Sequence, residues 1–408
     1  MKRKRLSVWV AVTLVLGLVG LAAGSASAGV PSAGTKGVTS TSINVAGLVS
    51  NQVFGAAVKG AQARFDRENA NGGVFGRKIK VVDLADDKFD PTTNVQETRR
   101  VVSGGNVFAM VPTVTVVLGS GDYLAQQKVP FFGWGISAGF CGNDYGYGFT
   151  GCVAPKTPVY GNSFMLEAGA KALNKPPKGL TVAMIAEDTD AARSGLGTLG
   201  AAADSLGIKV VYSKGAVPAP PATVGDFTPF SQAIMTSNNG GPPDFVIILF
   251  ASIPSTLGLQ GTLQAAGFKG PIENTQTYDP QLAGPSKGGS VYIQFGAFET
   301  AGTVPGVKQM ADDLKKANVT EGVLSAVGYL SADMFIAALK KTGKNLTVAS
   351  FQKANKNLKY NLTNTAGPTS FPKDRVQPGV CGTLVTANGT GYDVTVPYFC
   401  GKAIKAKS

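Results

Sequence analysis

The sequence predicts an α/β protein of two Rossmann-like lobes, each built on a parallel central sheet. Three observations carry this. From Ser42 onward, short β-branched and apolar runs alternate with amphipathic helical stretches, the mark of a parallel sheet covered on both faces. The alternation restarts near Val159, and 408 residues, 44% of them hydrophobic and 15% charged, suit two domains of roughly 100–200 residues each. Helices are then left over in the last third, so the chain crosses between lobes more than once.

Each element has its own signal. Lys2, Arg3, Lys4 and Arg5 precede an apolar run from Val8 to Ala23 and then Ala26-Ser27-Ala28, the pattern of a secretory signal peptide cut after Ala28. The run falls short of the ~20 residues that span a membrane. Leu21-Ala22-Ala23-Gly24-Ser25 has serine where a bacterial lipoprotein box has its lipidated cysteine, so no lipid anchor is expected. Residues 29–41 form a lead-in, and Ser42 to Val49 reads as a strand. A helix follows with Val58, Ala61 and Phe65 on one stripe, stopping at Asn71-Gly72-Gly73. Lys78 to Leu84 is a strand. Asp90-Pro91 then sets a capping side chain before a proline suited to the first helical turn, and that helix ends at Gly104-Gly105. Val107 to Val111 and Val129 to Gly133 are short buried strands.

The second series starts with a helix from Val159 to Leu173. Strand Leu180 to Ala186, helix Ser194 to Leu206 and strand Ile208 to Tyr212 follow, then a Pro-rich loop from Val217 to Thr223. Asp226 caps a helix through Phe230 and Ile234, and Phe245 to Ala251 is a fully apolar strand. A helix ends near Gly267, and Ile272 to Thr275 is the next strand. Strand Val291 to Phe295 precedes helices at Val307–Ala317, Val323–Lys341 and Val348–Leu358. Gly382 to Thr386 and Tyr392 to Val396 close the chain as strands.

Composition narrows function. The chain has no histidine, which removes Ser-His-Asp and Cys-His nucleophile pairs and His-liganded metal sites and lowers the prospect of catalysis. Lys and Arg number 38 against 25 Asp and Glu, a net +13; without the leader's four basic residues the balance is 34 to 25. That charge is spread along the chain. The Lys-rich tail (Lys402, Lys405, Lys407) and the stretch Lys353 to Lys359 read as solvated faces, not a nucleic-acid patch. Cys141, Cys152, Cys381 and Cys400 are an even set in an exported chain, which favours two disulfides. Of the three pairings, proximity favours Cys141–Cys152 and Cys381–Cys400. The rival, a zinc site of four thiolates, lacks the close cysteine spacing of a zinc knuckle.

Other patterns reduce to bland readings. Gly195-Leu196-Gly197-Thr198-Leu199-Gly200 matches the dinucleotide fingerprint by letter, but its glycines fall inside a predicted helix instead of directly after a strand. Asp83, Asp86, Asp87 and Asp90 lack the alternation, central glycine and distal Glu of a calcium loop. Asp90 is a helix cap and the others the solvated end of a strand. The N-x-Thr sites at Asn318, Asn345, Asn361 and Asn388 matter only in a eukaryotic secretory pathway. No metal or cofactor is expected.

Several segments carry a family resemblance. Asn69-Ala70-Asn71-Gly72-Gly73-Val74-Phe75-Gly76-Arg77-Lys78-Ile79 resembles the N-A-x-G-G-[IV]-x-G-R-x-[IL] segment of the leucine/isoleucine/valine-binding family, type I periplasmic solute-binding proteins of ABC transporters. Asp86-Asp87 with Asp90-Pro91, Asp226-Phe227-Thr228-Pro229, Ala266-Gly267-Phe268-Lys269-Gly270-Pro271 and Gly328-Tyr329 are similar to later motifs of that family, in its order. The resemblance runs from about Ser42 to Phe351. It implies two lobes joined by a three-crossing hinge: 42–153 plus 299–376, and 154–298 plus 377–408. Solute would bind between them, with a ligand carboxylate held near Thr113, Thr115, Trp134 and Ser137.

The sequence departs from the family where amino-acid binders hold the ammonium, reading Asp188-Thr189-Asp190-Ala191-Ala192-Arg193. Asp188 stands as a substitute, Arg193 nearby would suit a second carboxylate, and Ser252 and Tyr278 complete the expected site. The implied function is non-enzymatic: a monomeric solute receptor of bacterial type, exported to the periplasm or cell envelope. It delivers a small amino acid or organic acid to the membrane permease of an ABC importer by hinge closure, and has no nucleic-acid partner. The alternatives are a ligand-sensing receptor module of the same fold and a secreted α/β hydrolase.

Overall fold

A computed structural model describes residues 35–406. The expected leader, with Trp9, lies outside the described residues. The first layer begins with β1 (Ser42–Val49), a short helix α1 (Asn51–Phe54), α2 (Ala56–Ala70) and β2 (Lys78–Asp86). It continues through α3 (Pro91–Ser103), β3 (Ala109–Val114), α4 (Gly121–Gln126), β4 (Phe131–Gly133) and β5 (Gly146–Gly148). These strands form one parallel sheet in the order β2-β1-β3-β4-β5. The Asp90 carboxylate accepts from Thr93 N at 2.6 Å, with Pro91 in the first helical turn, so α3 starts where its cap and proline direct it. Asp87 departs from the solvated reading. It is fully buried, accepting from Phe89 N at 2.9 Å and Asn94 Nδ2 at 3.1 Å, and ties the strand end to α3.

The second layer runs β6 (Tyr160–Asn162), α5 (Phe164–Ala172), β7 (Thr181–Glu187), α6 (Asp190–Leu206), β8 (Lys209–Val217), α7 (Thr228–Met235), β9 (Phe245–Leu249), α8 (Ile253–Ala265), β10 (Ile272–Asn274) and β11 (Ser290–Ile293). The chain then returns to the first layer with α9 (Pro305–Lys316), α10 (Val323–Thr342), α11 (Val348–Asn355) and the hairpin β12 (Lys359–Leu362) and β13 (Ala366–Ser370). It crosses a third time to β14 (Cys381–Ala387), β15 (Tyr392–Cys400) and β16 (Ala403–Lys405). The second sheet has the order β15-β14-β11-β10-β9-β7-β8, parallel except for β14 and β15. The fold is thus the predicted one: two parallel sheets joined by three crossings.

Both faces of each sheet are covered. On the first, α2, α9 and α10 bury one side around Phe65, Phe108 and Phe335, and Val101, Leu124 and Phe131 fill the other. On the second, α5 and α6 cover Val182, Ile247 and Tyr292, and α7 and α8 cover Ile185, Ile248 and Phe268. Helix α10 has the length and apolarity of a membrane span, yet 78% of its most apolar window is buried inside the fold. The glycines of the apparent dinucleotide fingerprint lie within α6.

The helix expected from Val159 is interrupted. Tyr160–Asn162 is instead a strand paired with β16 from the far end of the chain, and α5 begins only at Phe164. Helix α6 starts earlier than expected because Thr189 caps it, accepting from Ala192 N at 3.1 Å. The cysteines pair as proximity favoured, Cys141 with Cys152 and Cys381 with Cys400. Cys152 lies in the first crossing, whose backbone pairs with the third: Cys152 N donates to Gln377 O at 2.9 Å and Gly379 N to Thr150 O at 2.6 Å. Buried Arg375 braces the two, donating to Gly146 O at 2.6 Å with its guanidinium over the Tyr147 and Phe371 rings.

Candidate functional site

The carboxyl ends of the central strands of both sheets border one cleft. Each sheet changes strand order there, with β2 and β3 flanking β1 and β8 and β9 flanking β7. Such switch points leave crevices in which α/β proteins take their ligands. An inner chamber of about 120 Å³ lies at this position. Beside it lies an outer cleft of about 920 Å³, and Val116, Ala154, Thr189 and Ala191 border both spaces.

The chamber wall is mostly apolar. Val116, Trp134 and Ile136 come from loops after β3 and β4, and Met165, Leu199 and Leu249 from the second layer. Trp134 stands between two glycines that the packing requires. A Cβ at Gly133 would collide with Thr113 O, and one at Gly135 with Gly151 O. The Trp134 indole N–H donates to Gln294 Oε1 at 2.6 Å, so the wall on one sheet is hydrogen-bonded to the wall on the other.

Polar groups enter at the ends of strands. Glu187, the last residue of β7, is buried and accepts from Ala251 N at 3.0 Å and Ser252 N at 2.9 Å. Burial raises its pKa, and the two amides pull the other way. Tyr292 and Gln294 alternate along the β11 direction and so share a face, with the Tyr292 ring packed on Phe164. Burial pushes the Tyr292 hydroxyl well up. The parallel register sets Asn274 opposite Val291, which carries Gln276 to the level of Ile293. Tyr292, Gln294 and Gln276 belong to the chamber wall, but Tyr292 Oη, Gln294 Nε2 and Gln276 Oε1 are sealed behind its surface, the Tyr292 hydroxyl lying beside the side chains of Gln294 and Asn162.

The residues expected from the sequence divide into three groups. Trp134 lines the inner chamber. Ser137, Asp188 and Arg193 border the outer cleft, where Arg193 pairs with Asp188 and, at 2.6 Å, with Asp190. Its charge is therefore already answered. Thr113, Thr115, Ser252 and Tyr278 line neither space. Thr113 Oγ1 donates to Met110 O at 3.3 Å, and Thr115 Oγ1 lies 3.2 Å from Ser50 Oγ while accepting from Val117 N. Ser252 caps α8. Tyr278 donates to Glu299 at 2.7 Å and accepts from Phe298 N at 2.7 Å.

Around the expected carboxylate cradle, Pro112–Thr115 and Trp134–Ser137, several backbone amides already have acceptors within the fold. Val117 N, Leu118 N and Gly119 N bond to Thr115 Oγ1, Ser137 Oγ and Val117 O. Trp134 N, Gly135 N and Ile136 N bond to Thr113 O, Thr150 Oγ1 and Trp134 O. Glu187, Gln276, Tyr292 and Gln294 were not expected from sequence. Each sits at the end of, or just past, an apolar strand, and that position at a strand's carboxyl end is the signal that could have found them. Among the described residues no group of three Asp, Glu or Cys side chains is placed to hold a metal ion.

Two covered parallel sheets, three crossings and a chamber at their switch points define a two-lobed binding protein of the periplasmic type. The chain belongs to the periplasmic binding protein family, whose model matches residues 43–392. No curated protein matches it in sequence. Solved structures with the same fold include a substrate-binding protein of an ABC transporter from Aeropyrum pernix, 17% identical over 89% of this chain and 97% of that one, with TM-score 0.70. A fatty acid ABC transporter substrate-binding protein from Thermomonospora curvata is 19% identical over 90% and 95%, TM-score 0.66. A branched chain amino acid ABC transporter protein from Thermus thermophilus, solved with bound valine, is 15% identical over 88% and 97%, TM-score 0.68. At such identities the likeness is one of fold.

Proposed function

We propose that the protein is the extracytoplasmic solute-binding component of an ABC importer. It acts as a monomer and without catalysis, and presents its solute to a membrane permease. The observation that carries this reading is the chamber, whose wall is shared between Trp134 on one side and Gln294 on the other. Solute lodged there touches both lobes, taken as 42–153 plus 299–376 and 154–298 plus 377–408. Contacts made to both lobes at once exist only in the closed form, so binding favours closure by differential affinity. The permease then reads closure. ABC transporter proteins among the structural neighbours support the reading.

The test is a thermal-shift screen across amino acids, organic acids and neutral amides, followed by small-angle scattering with each hit. A ligand at 100 times its dissociation constant adds about 2.7 kcal/mol, a readily measured shift. A hit that also lowers the radius of gyration supports a closing receptor. A full panel with neither effect, or turnover of any amide in it, refutes the reading. Loss of solute uptake on deleting the gene separates transport from sensing.

A further inference from the structure

We infer that the end of the first layer remote from the cleft is a docking surface for an anionic lipid bilayer, with lysines facing the phosphate head groups and Phe75 seated among them. The inference goes beyond the solute-receptor reading above and takes from it only the extracytoplasmic setting.

The fold gathers the charge. Helix α2 runs back from the cleft end of β1. Helix α10 lies alongside it in the same direction, since the contacts Gly60–Ser325, Arg64–Asp333 and Glu68–Lys340 ascend together. Both helices therefore finish at the amino ends of the strands. There Arg77 Nη1 donates to Lys344 O at 2.9 Å, and Lys341 Nζ to Asn357 O at 2.8 Å, which brings in the end of α11. Between residues 340 and 359 stand Lys340, Lys341, Lys344, Lys353, Lys356 and Lys359, all exposed, and no Asp or Glu. Exposed Lys36 joins them, because Thr35 Oγ1 beside it donates to Leu346 O at 3.2 Å. Glu68, near the end of α2, is buried and already answered by Arg64 and Lys340.

Helix ends account for part of this charge. A helix C-terminus carries about −0.5 of a charge, which suits Lys340, Lys341 and Lys353 in the last turns of α10 and α11. Among the described residues the lysines that form ion pairs are Lys175, Lys308 and Lys340. Lys36, Lys344, Lys356 and Lys359 are thus left for an outside partner.

Phe75 indicates which partner. Val74 and Arg77 exchange backbone hydrogen bonds at 2.9 and 3.1 Å, so Phe75 and Gly76 are the central residues of a tight turn. Both have positive φ, +52° and +82°, in a turn that favours Asn-Gly and where a bulky residue is costly. The Phe75 ring is 47% exposed and Gly76 faces open space, so folding gains little from an aromatic here. An apolar ring at a protruding tip, inside a basic field, has the make-up of an interfacial anchor on anionic lipid. Nucleic acid is gripped by arginine forks, and Arg77 spends its guanidinium on the carbonyls of Thr39 and Lys344. Docking by this end leaves the cleft, at the opposite end of the sheet, clear of lipid.

The test is co-sedimentation of the chain, recovered after export, with vesicles of phosphatidylcholine alone or with roughly one-third phosphatidylglycerol. Binding should need the anionic lipid and fall away as salt rises from about 0.05 to about 0.5 M. Lys344→Gln, Lys356→Gln and Lys359→Gln together, with unchanged melting temperature, should weaken it about tenfold or more. The same change at Lys209, Lys269 and Lys287, exposed on the second layer, should leave it within about twofold. Phe75→Asn should melt no lower than the parent and still bind severalfold more weakly. A lower melting temperature with full vesicle binding would instead make the ring structural and overturn its role as anchor. No binding to anionic vesicles, equal loss from both lysine triples, or tighter binding to duplex DNA than to vesicles overturns the inference. Each of those results leaves the receptor reading standing, since solute binding and closure are measured without lipid.

Discussion

Glu273, in the middle of β10, is fully buried, and neither of its carboxyl oxygens has a hydrogen-bond partner. Burial holds its pKa well above the usual carboxylate range. The folded chain therefore keeps a proton that the unfolded chain releases above its pKa of about 4.3. Stability from this group is complete below that pH and falls as pH rises toward the folded value. Glu273→Gln should melt higher than the parent at neutral pH, with the gap closing near pH ~4; melts across that range check it. A gap of the opposite sign would mean that the carboxylate is ionised and paired.

Trp134 offers an optical readout at the same scale, being the tryptophan of the described residues. Its emission should shift and saturate on adding a solute that binds the chamber, and Trp134→Phe should abolish the signal while keeping the fold. An unchanged spectrum with a calorimetrically proven ligand would remove Trp134 from the site. The position of Trp134 after an apolar strand was legible in the sequence, because strand ends are where such folds meet ligands. That Thr113 and Thr115 spend their hydroxyls on Met110, Ser50 and Val117 was not, since those partners are set by how loops and strands fold back on one another.

At the scale of elements, α2 and α10 meet through paired glycines. A Cβ on Gly60 would fall on Ser325 O, and one on Gly328 on Ala57 O, both inside van der Waals contact. Gly60→Ala should push the helices apart and cost about 1–3 kcal/mol. Gly328→Ala should cost as much, and the double variant less than the sum, because the first separation makes room for the second methyl. Denaturant midpoints measure all three, and strict additivity would show that the two contacts are independent. An apolar stripe made α2 readable from sequence and a long apolar run α10, and the Asp90 cap marked the start of α3. Five short strands were hidden: Gly146–Gly148, Tyr160–Asn162, the hairpin pair Lys359–Leu362 and Ala366–Ser370, and Ala403–Lys405. Gly146–Gly148 is too rich in glycine to resemble a strand, and Tyr160–Asn162 owes its strand form to Ala403–Lys405, a partner more than two hundred residues away.

For the whole molecule, the crossings are the mechanical centre. Cys141–Cys152 closes a loop beside the first, and Cys381–Cys400 joins β14 to β15 just past the third. Replacing Cys141 and Cys152 by serine should cost about 3 kcal/mol, seen as a lower melting temperature that matches the reduced parent carrying the second bridge intact. If reduction leaves the melting temperature unchanged, the bridges carry no stability. The connectivity also sets an order of assembly. The first sheet lacks one cover until α10 has been made, and β11 has no partner on its outer side until β14 arrives at residue 381. A growing chain therefore holds two unfinished halves through most of its synthesis, although every residue that lines the chamber, from Val116 to Gln294, is made before α10 covers the first sheet and β14 joins the second.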